Sequence, residues 1–164
     1  MRIGLLSDTH GFLDDKIFNH FQDCDDIWHA GDFGNMEISE KLSAFKSLKG
    51  VYGNIDGMEI RSLHPKDNKF VCEDMQVWMT HIGGYPGKYS PEVRKEIYEN
   101  PPDIFICGHS HILRVITDKK LVPTLYINPG AAGKQGLHMI RTIIKFDIIK
   151  KKVVDMKVVE LGKR

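Results

Sequence analysis

The first sixty residues alternate between short apolar runs and segments with helical spacing. Apolar runs that end in polar residues or glycine lie at 2–7, 25–32 and 49–57. Between them, apolar residues recur three to four positions apart, first at Ile17, Phe18 and Phe21 and then at Ile38, Leu42 and Phe45. The order strand, helix, strand, helix, strand predicts a βαβαβ unit with a mostly parallel sheet.

The remaining hundred residues contain more predicted strands than helices. A turn at Glu73 and Asp74 divides an apolar segment into a hairpin, and a helix is expected at 91–100, where two prolines follow it. A buried strand is expected at 103–109. The segments 114–130 and 141–161 are typical of strands joined by turns, so we expect a second, largely antiparallel sheet packed on the first. The sequence predicts one α/β domain over residues 1–164.

Composition and charge exclude several classes of protein. The chain has 23 lysines and arginines against 22 aspartates and glutamates, which predicts neither nucleic acid nor a membrane as an obligatory partner. Its three cysteines are widely spaced and include no CxxC pair, which argues against a disulfide framework and a cysteine zinc site. With no signal-like or membrane-spanning segment, these features predict a cytoplasmic location.

Residues that can bind metal ions follow the apolar strands. The carboxyl ends of strands meet at one crevice of an open α/β sheet, where ligands collect. Seven residues at these positions have suitable side chains: Asp8, His10, Asp32, Asn54, His81, His109 and His111. Each alone also has a structural explanation as a cap, turn or strand-end residue. Their occurrence at successive strand ends predicts a metal site.

The spacing of His109 and His111 indicates two ions rather than one. In an extended chain, residues i and i+2 point to the same side, with Cα atoms about 6 to 7 Å apart. Two ions in one site lie roughly 3.5 to 4 Å apart. We therefore expect each of these imidazoles to bind a different ion.

The order of these motifs resembles that of the calcineurin-like metallophosphoesterases. The residues that carry the resemblance are DTH at 8–10, GD at 31–32, GN at 53–54, His81 and GHSH at 108–111. The small size, GNID at 53–56 and NPG at 128–130 resemble the compact bacterial and archaeal phosphodiesterase branch. The resemblance implies a four-layer α/β/β/α sandwich of two mixed β-sheets flanked by helices.

The resemblance also implies a ligand set of seven residues and two divalent metal ions per chain. Asp8, His10 and His111 would bind one ion, and Asn54, His81 and His109 the other. Asp32 would bridge both ions, and Asp32, Asn54 and His109 are the residues expected to act in catalysis. Manganese is the first candidate, with iron, zinc and nickel as alternatives, because the mixed oxygen and nitrogen donors do not choose among them.

The expected reaction is hydrolysis of a phosphodiester bond in a small phosphate ester by attack of a metal-bridging hydroxide. Two divalent ions and two carboxylates leave the site positively charged, which attracts an anionic ester. Many relatives have a histidine after GN that assists the leaving group, whereas this chain has Ile55. The missing proton donor favours diesters with leaving groups that need little protonation. The chain also has Ile82 and Ala131 where relatives often have glycine and serine.

The sequence leaves two alternative functions and the roles of several residues undecided. A phosphomonoesterase or nucleotide phosphatase could use the same metal site, and a relative in the retromer coat serves as a protein-binding scaffold. Exposed edge strands would permit a homodimer. Loops expected to select the substrate lie at 57–69, 83–90 and 112–125, where Tyr85 could contact substrate or belong to a plain turn. His29 is expected to pack or hydrogen-bond near the site, and His20, His64 and His138 to lie on the surface or in loops.

Overall fold

The computed structural model describes residues 1–121 and 123–164, in which short helices alternate with strands. In the first half, these are β1 (Arg2–Leu6), α1 (Lys16–His20), β2 (Asp26–His29), α2 (Met36–Phe45), β3 (Ser47–Gly50), α3 (Met58–Leu63), β4 (Asp67–Cys72) and β5 (Met75–Thr80). The second half contains β6 (Gly84–Tyr85), β7 (Lys88–Tyr89), α4 (Pro91–Glu99), β8 (Ile104–Ile106), β9 (Arg114–Asp118), β10 (Thr124–Asn128), β11 (Ile140–Ile149) and β12 (Lys152–Lys163). No helix in the described part of the chain has the length and apolar character needed to cross a bilayer.

The first sheet has the strand order β12-β11-β1-β2-β3. Strands β1, β2 and β3 are parallel, which confirms the βαβαβ prediction. Strand β11 pairs antiparallel with β1, and β12 pairs antiparallel with β11. The prediction that the last two strands belong to the second sheet is therefore wrong, because β11 pairs with the first strand of the chain.

The second sheet has the order β4-β5-β8-β10-β9. Its three middle strands are parallel to one another, and its two outer pairs are antiparallel. The expectation of a largely antiparallel second sheet is therefore wrong. Both sheets are mixed, as the fold class derived from the resemblance requires. Val122, which falls inside the predicted strand segment 114–130, lies outside the described residues.

Three layers of buried side chains show how the elements stack. Side chains of both sheets meet in the central layer, which includes Ile3, Leu5, Trp28, Val77, Met79 and Ile106. The opposite face of the first sheet packs on α1, α2 and α3 through Leu6, Ile27, Phe21, Leu42 and Ile60. The outer face of the second sheet packs on α4 through Trp78, Phe105, Val93 and Ile97. This arrangement is the expected α/β/β/α sandwich.

One glycine in β1 shows how closely a helix approaches the first sheet. A Cβ atom at Gly4 would lie 2.7 Å from the ring of Phe21, so only glycine leaves room for this contact. The alternation along β1 then places Ile3 and Leu5 between the sheets. The packing fixes β1, and with it the loop that begins at Ser7.

The three segments that were expected to select the substrate contain regular structure. Residues 57–69 include helix α3, whose Ile60 is buried while Met58 and Leu63 are exposed. Residues 83–90 form the small antiparallel hairpin β6–β7. Most of 112–121 belongs to edge strand β9 or to the turn that follows it.

Candidate metal centre

Loops that follow five strands bring the seven predicted residues together. Asp8 and His10 follow β1, Asp32 follows β2, Asn54 follows β3, His81 follows β5, and His109 and His111 follow β8. Six of the side chains fall into two neighbouring groups of three, and Asn54 lies beside His81 of the second group. The site therefore draws on both halves of the sandwich.

The first group consists of Asp8, His10 and His111, whose ligand atoms all lie within 4.8 Å of one another. The two Nε2 atoms of His10 and His111 are 3.3 Å apart. Oδ1 of Asp8 lies 3.1 Å from Nε2 of His111 and 3.9 Å from Nε2 of His10. One carboxylate oxygen and two imidazole nitrogens thus face a common point.

The second group consists of Asp32, His81 and His109, again within 4.8 Å of one another. Nε2 of His81 lies 3.2 Å from Oδ2 of Asp32 and 3.2 Å from Oδ1 of Asn54. Asp32 and His81 are almost fully buried, whereas His109 is exposed. Asn54 therefore adds a neutral oxygen to this group, and His109 forms its solvent-facing side.

The carboxylate of Asp32 faces both groups. Its Oδ2 is 3.2 Å from Nε2 of His81 in the second group and 3.7 Å from Nε2 of His10 in the first. Its Oδ1 accepts a hydrogen bond from the amide of Ile55 at 3.1 Å. This position between the groups is the one that a bridging ligand requires.

The chemistry of the donor set fits a bound cation. Nδ1 of His81 donates to the carbonyl oxygen of Ala30 at 2.8 Å, so Nε2 of a neutral ring carries a lone pair. That lone pair points at oxygen atoms of Asp32 and Asn54, which also accept. Acceptors that converge in a buried place repel one another unless a proton or a metal cation lies between them. The converging acceptors of His81, Asp32 and Asn54 therefore favour a positive charge between them.

The pKa shifts have the same physical cause. Burial acts to lower the pKa of His81, but the carboxylates of Asp32 and Asp8 outweigh it, and the pKa is raised. Burial acts to raise the pKa of Asp32, but His81 and the amide of Ile55 outweigh it, and the pKa is lowered. Burial and the neighbouring His81 lower the pKa of His109. The charged carboxylate is therefore the stable form of Asp32.

Five of the seven predicted ligands adopt a left-handed backbone conformation. Their φ values range from 48° to 65°, at Asp8, His10, Asp32, His109 and His111. The extended geometry that we assumed for His109 and His111 is therefore wrong, because both lie in a tight turn after β8. In that turn the amide of Ser110 donates to the carbonyl of Gly108 at 2.7 Å. The two imidazoles nevertheless fall into different groups.

Buried side chains without a predicted role hold these loops in place. The carboxylate of Asp56 accepts from the amides of Gly34 and Gly53, both at 2.8 Å, and so joins the loop of Asp32 to that of Asn54. Nδ2 of Asn128 donates to the carbonyl of Gly108 at 2.8 Å and supports the loop after β8. Asp56 belongs to the motif GNID and Asn128 to the motif NPG, so the sequence marked both residues without indicating their role.

Of the other histidines, His29 agrees with its predicted environment and His64 does not. His29 is fully buried, accepts from the amide of Gly31 and hydrogen-bonds to Thr9. The expectation that His64 lies on the surface or in a loop is wrong. It is buried, stacks on Phe33 with ring centroids 4.6 Å apart, and hydrogen-bonds to Ser39 at 2.8 Å.

His138 lies in a loop, as expected, but close to the first group. Its ring centroid is 5.3 Å from that of His111. Its Nε2 donates to the carbonyl of Gly133 at 3.0 Å. The ring therefore packs beside a predicted ligand rather than projecting freely into solvent.

Comparison with known proteins identifies the family. Residues 1–151 match the calcineurin-like phosphoesterase superfamily domain. A "Probable metallophosphoesterase" of Methanothermobacter thermautotrophicus is 30% identical over 141 residues, covering 80% of this chain and 77% of the relative. A phosphodiesterase of Methanocaldococcus jannaschii is 25% identical over 149 residues, covering 79% and 83%. The structure of Vps29 from Entamoeba histolytica complexed with zinc has the same fold, with a TM-score of 0.74, 15% identity and coverage of 98% and 99%. The chain belongs to the calcineurin-like phosphoesterase superfamily.

Proposed function

We propose that the protein is a phosphodiesterase that uses two divalent metal ions. The observation that carries the proposal is the position of the Asp32 carboxylate, which faces both groups of ligand atoms. Asp8, His10 and His111 would hold one ion, Asn54, His81 and His109 the other, and Asp32 would contact both. Because loops of both sheets contribute ligands, residues 1–164 would act as one domain.

The proposed ions supply the charge that the reaction needs. When bound, two divalent ions offset the negative charge of a phosphoryl group and lower the pKa of a water molecule. Nitrogen and oxygen donors in one site suit manganese, iron, zinc and nickel, and manganese is our first candidate. Attack by a bridging hydroxide stays a prediction from the family resemblance.

Hydrogen bonds fix the side chains of the site in positions that suit an anionic substrate. The hydrogen bond from His81 to Ala30 holds the imidazole with Nε2 facing Asp32. The amide of His109 donates to both carboxylate oxygens of Asp8, at 3.2 and 3.1 Å, which fixes that carboxylate. Asn54 is neutral and does not reduce the positive charge of a loaded site. His109, on the exposed side, is positioned to contact the ester.

The preference for a diester is supported by Ile55. This side chain is 47% exposed beside the site and carries no group that could donate a proton. A substrate whose leaving group needs little protonation therefore suits the site best. The name of the Methanocaldococcus jannaschii relative agrees with this preference. A phosphomonoesterase with the same metal site is the alternative.

The test combines metal analysis with paired substrates. The metal-loaded protein is expected to contain about two ions per chain and to hydrolyse an aryl phosphodiester faster than the matching aryl monoester. Asp32→Asn should lower diester hydrolysis at least about 100-fold and reduce the metal content, because a shared ligand contributes more than the supporting residues around it. Asp74→Asn, in an exposed turn with positive φ that asparagine tolerates, is the matched control.

Each other outcome selects a different function. Faster monoester hydrolysis would identify a phosphomonoesterase. No turnover of either ester by protein loaded with two ions would favour a binding scaffold, which the likeness to Vps29 leaves open. Undiminished hydrolysis by Asp32→Asn would contradict the proposed site.

A further inference from the structure

Two cavities of similar size open on either side of His81 and Ile82, which line both of them. The first, of about 250 Å³, also contacts His109 and is called the aryl cavity below. The second has about 230 Å³ and also contacts Asn54. Both therefore begin at the predicted metal ligands. A phosphodiester has two substituents on one phosphate, so its shape matches two cavities that diverge from one site.

The aryl cavity has flat and apolar walls. Ile82, Tyr85, Ile112 and Tyr126 contribute apolar surface to it. The guanidinium of Arg114 lies over the ring of Tyr85, with Cζ 4.6 Å from the ring centroid. Within residues 1–121 and 123–164, Arg114 forms no ion pair, so its charge stays available to a ligand. Planar aromatic groups stack on such surfaces.

Hydrogen bonds fix the chain segment that lines the aryl cavity. The hydroxyl of Tyr126 donates to the carbonyl of Gly84 at 2.8 Å, and the hydroxyl of Ser90 donates to the carbonyl of Ile82 at 2.9 Å. The amide of Ser90 donates to the carbonyl of Gly83 at 3.0 Å. The hairpin β6–β7 is thus anchored at its base, and a ligand would not have to order it.

The second cavity has a different chemical character. Arg61 donates to the carbonyls of Asp56 and Asn54, and Lys66 pairs with Glu92. Its cationic groups therefore already have partners. Like the aryl cavity, it contains an arginine over a tyrosine, with Cζ of Arg61 4.7 Å from the ring centroid of Tyr52. A larger share of its wall is polar than in the aryl cavity, and hydrogen bonds already hold Arg61, so it suits a hydrogen-bonding substituent better than an aromatic ring.

We propose that the aryl cavity binds a planar aromatic substituent of the phosphodiester substrate, with Tyr85 and Arg114 as the residues that select it. The inference rests on the proposed function, because it assumes that the phosphate lies at the metal centre. The volume of the cavity is below the range of about 300 to 1,000 Å³ that holds a complete drug-sized ligand, so it accommodates one substituent only.

Binding of two phosphonates tests the proposal. We expect zinc-loaded protein to bind phenylphosphonate roughly 5- to 10-fold more tightly than methylphosphonate in isothermal titration calorimetry. Phenylphosphonate, but not methylphosphonate, should shift the amide resonances of Gly84 and Tyr85, which line the aryl cavity and are not adjacent to a predicted metal ligand. The variants Tyr85→Ala and Arg114→Lys should reduce the affinity ratio to about 1 to 3, with little effect on methylphosphonate. Arg114→Lys keeps the charge and removes the flat guanidinium.

Lys66→Ala, in the second cavity, is the matched control and should keep the parent ratio. Equal affinity for the two phosphonates, or an unchanged ratio in both aryl-cavity variants, would overturn this inference and leave the proposed function intact. Failure to bind either phosphonate, together with a metal content near zero, would overturn the proposed function and this inference with it.

Discussion

At the scale of single residues, the predicted ligands depend on unusual backbone. The sequence identified seven candidate side chains because they stand at successive strand ends and match ordered family motifs. It did not predict that five of them have positive φ. Aspartate and histidine are enriched in this conformation, but only a few per cent of residues other than glycine adopt it, so the residue type alone does not predict a positive φ.

Close approach of the backbone to Asp32 gives a prediction at this scale. A Cβ atom at Gly53 would lie 1.9 Å from Oδ1 of Asp32 and 2.5 Å from its amide nitrogen. We expect Gly53→Ala to displace the carboxylate and to weaken metal binding at least about 10-fold, measured by calorimetric titration with manganese.

Gly57→Ala is the matched control for this substitution. A Cβ atom at Gly57 would meet no atom within 4 Å. Gly57 caps α3, so its replacement should change the free energy of unfolding by no more than about 1 kcal/mol and leave metal affinity unaltered. Equal metal affinity of the two variants would show that the approach at Gly53 does not position Asp32.

At the scale of elements, sequence patterns predicted the longer segments and missed a short one. Helices α2 and α4 and the β4–β5 hairpin agree with prediction, because apolar spacing and turn residues mark them. Helix α3 has six residues, of which only Ile60 is buried, so its pattern is too short to read. Ile60 is buried by contacts with the first sheet and α2.

His64 follows the last residue of α3 and hydrogen-bonds to Ser39 of α2, and its burial gives a prediction about pH. Burial lowers the pKa of His64, with Asp56 opposing, while the unfolded value is about 6.5. The unfolded chain therefore binds more protons below about pH 6.5, and the free energy of unfolding falls as the pH decreases from there toward the lower folded pKa. His64→Gln should therefore reduce the loss in free energy of unfolding that the parent shows between pH 7.5 and pH 5.5.

Urea denaturation at the two pH values measures this effect. The variant is expected to be less stable at pH 7.5, because it loses the stacking on Phe33, so the difference between the pH values is the readout. His20→Gln, at a partly exposed position, should keep the parent difference. An undiminished difference in His64→Gln would assign the acid sensitivity to other groups.

At the scale of the whole molecule, the sequence predicted two sheets but not all of their partners. Local patterns locate β11 and β12, yet they carry no information about pairing with β1, whose partner residues are about 140 positions away. The parallel middle of the second sheet was missed for the same reason. Family resemblance supplied the layer order that local patterns could not.

Coupling between metal binding and folding gives a prediction for the whole molecule. A ligand that binds only the folded state stabilises it by about 2.7 kcal/mol at a concentration of 100 Kd. For a chain of this size, that corresponds to a rise in Tm of roughly 5 to 11 °C. We expect this rise when manganese is added to chelated protein in differential scanning calorimetry.

Two variants separate specific binding from a general salt effect. Asp32→Asn should show a much smaller rise in Tm, whereas Asp74→Asn should match the parent. The same rise in Asp32→Asn as in the parent would mean that manganese stabilises the protein from another place.

The pairing of β1 with β11 has a consequence for synthesis. The first strand of the chain lies inside its sheet, between β2 and β11, and Arg2 forms an ion pair with Asp147. During translation, one edge of β1 stays without its partner until residues 140–149 have left the ribosome. Until then the nascent chain exposes an unpaired strand edge, a state that is prone to aggregation. A chain that stops before β11 would carry every predicted metal ligand and still lack the strand that completes its first sheet.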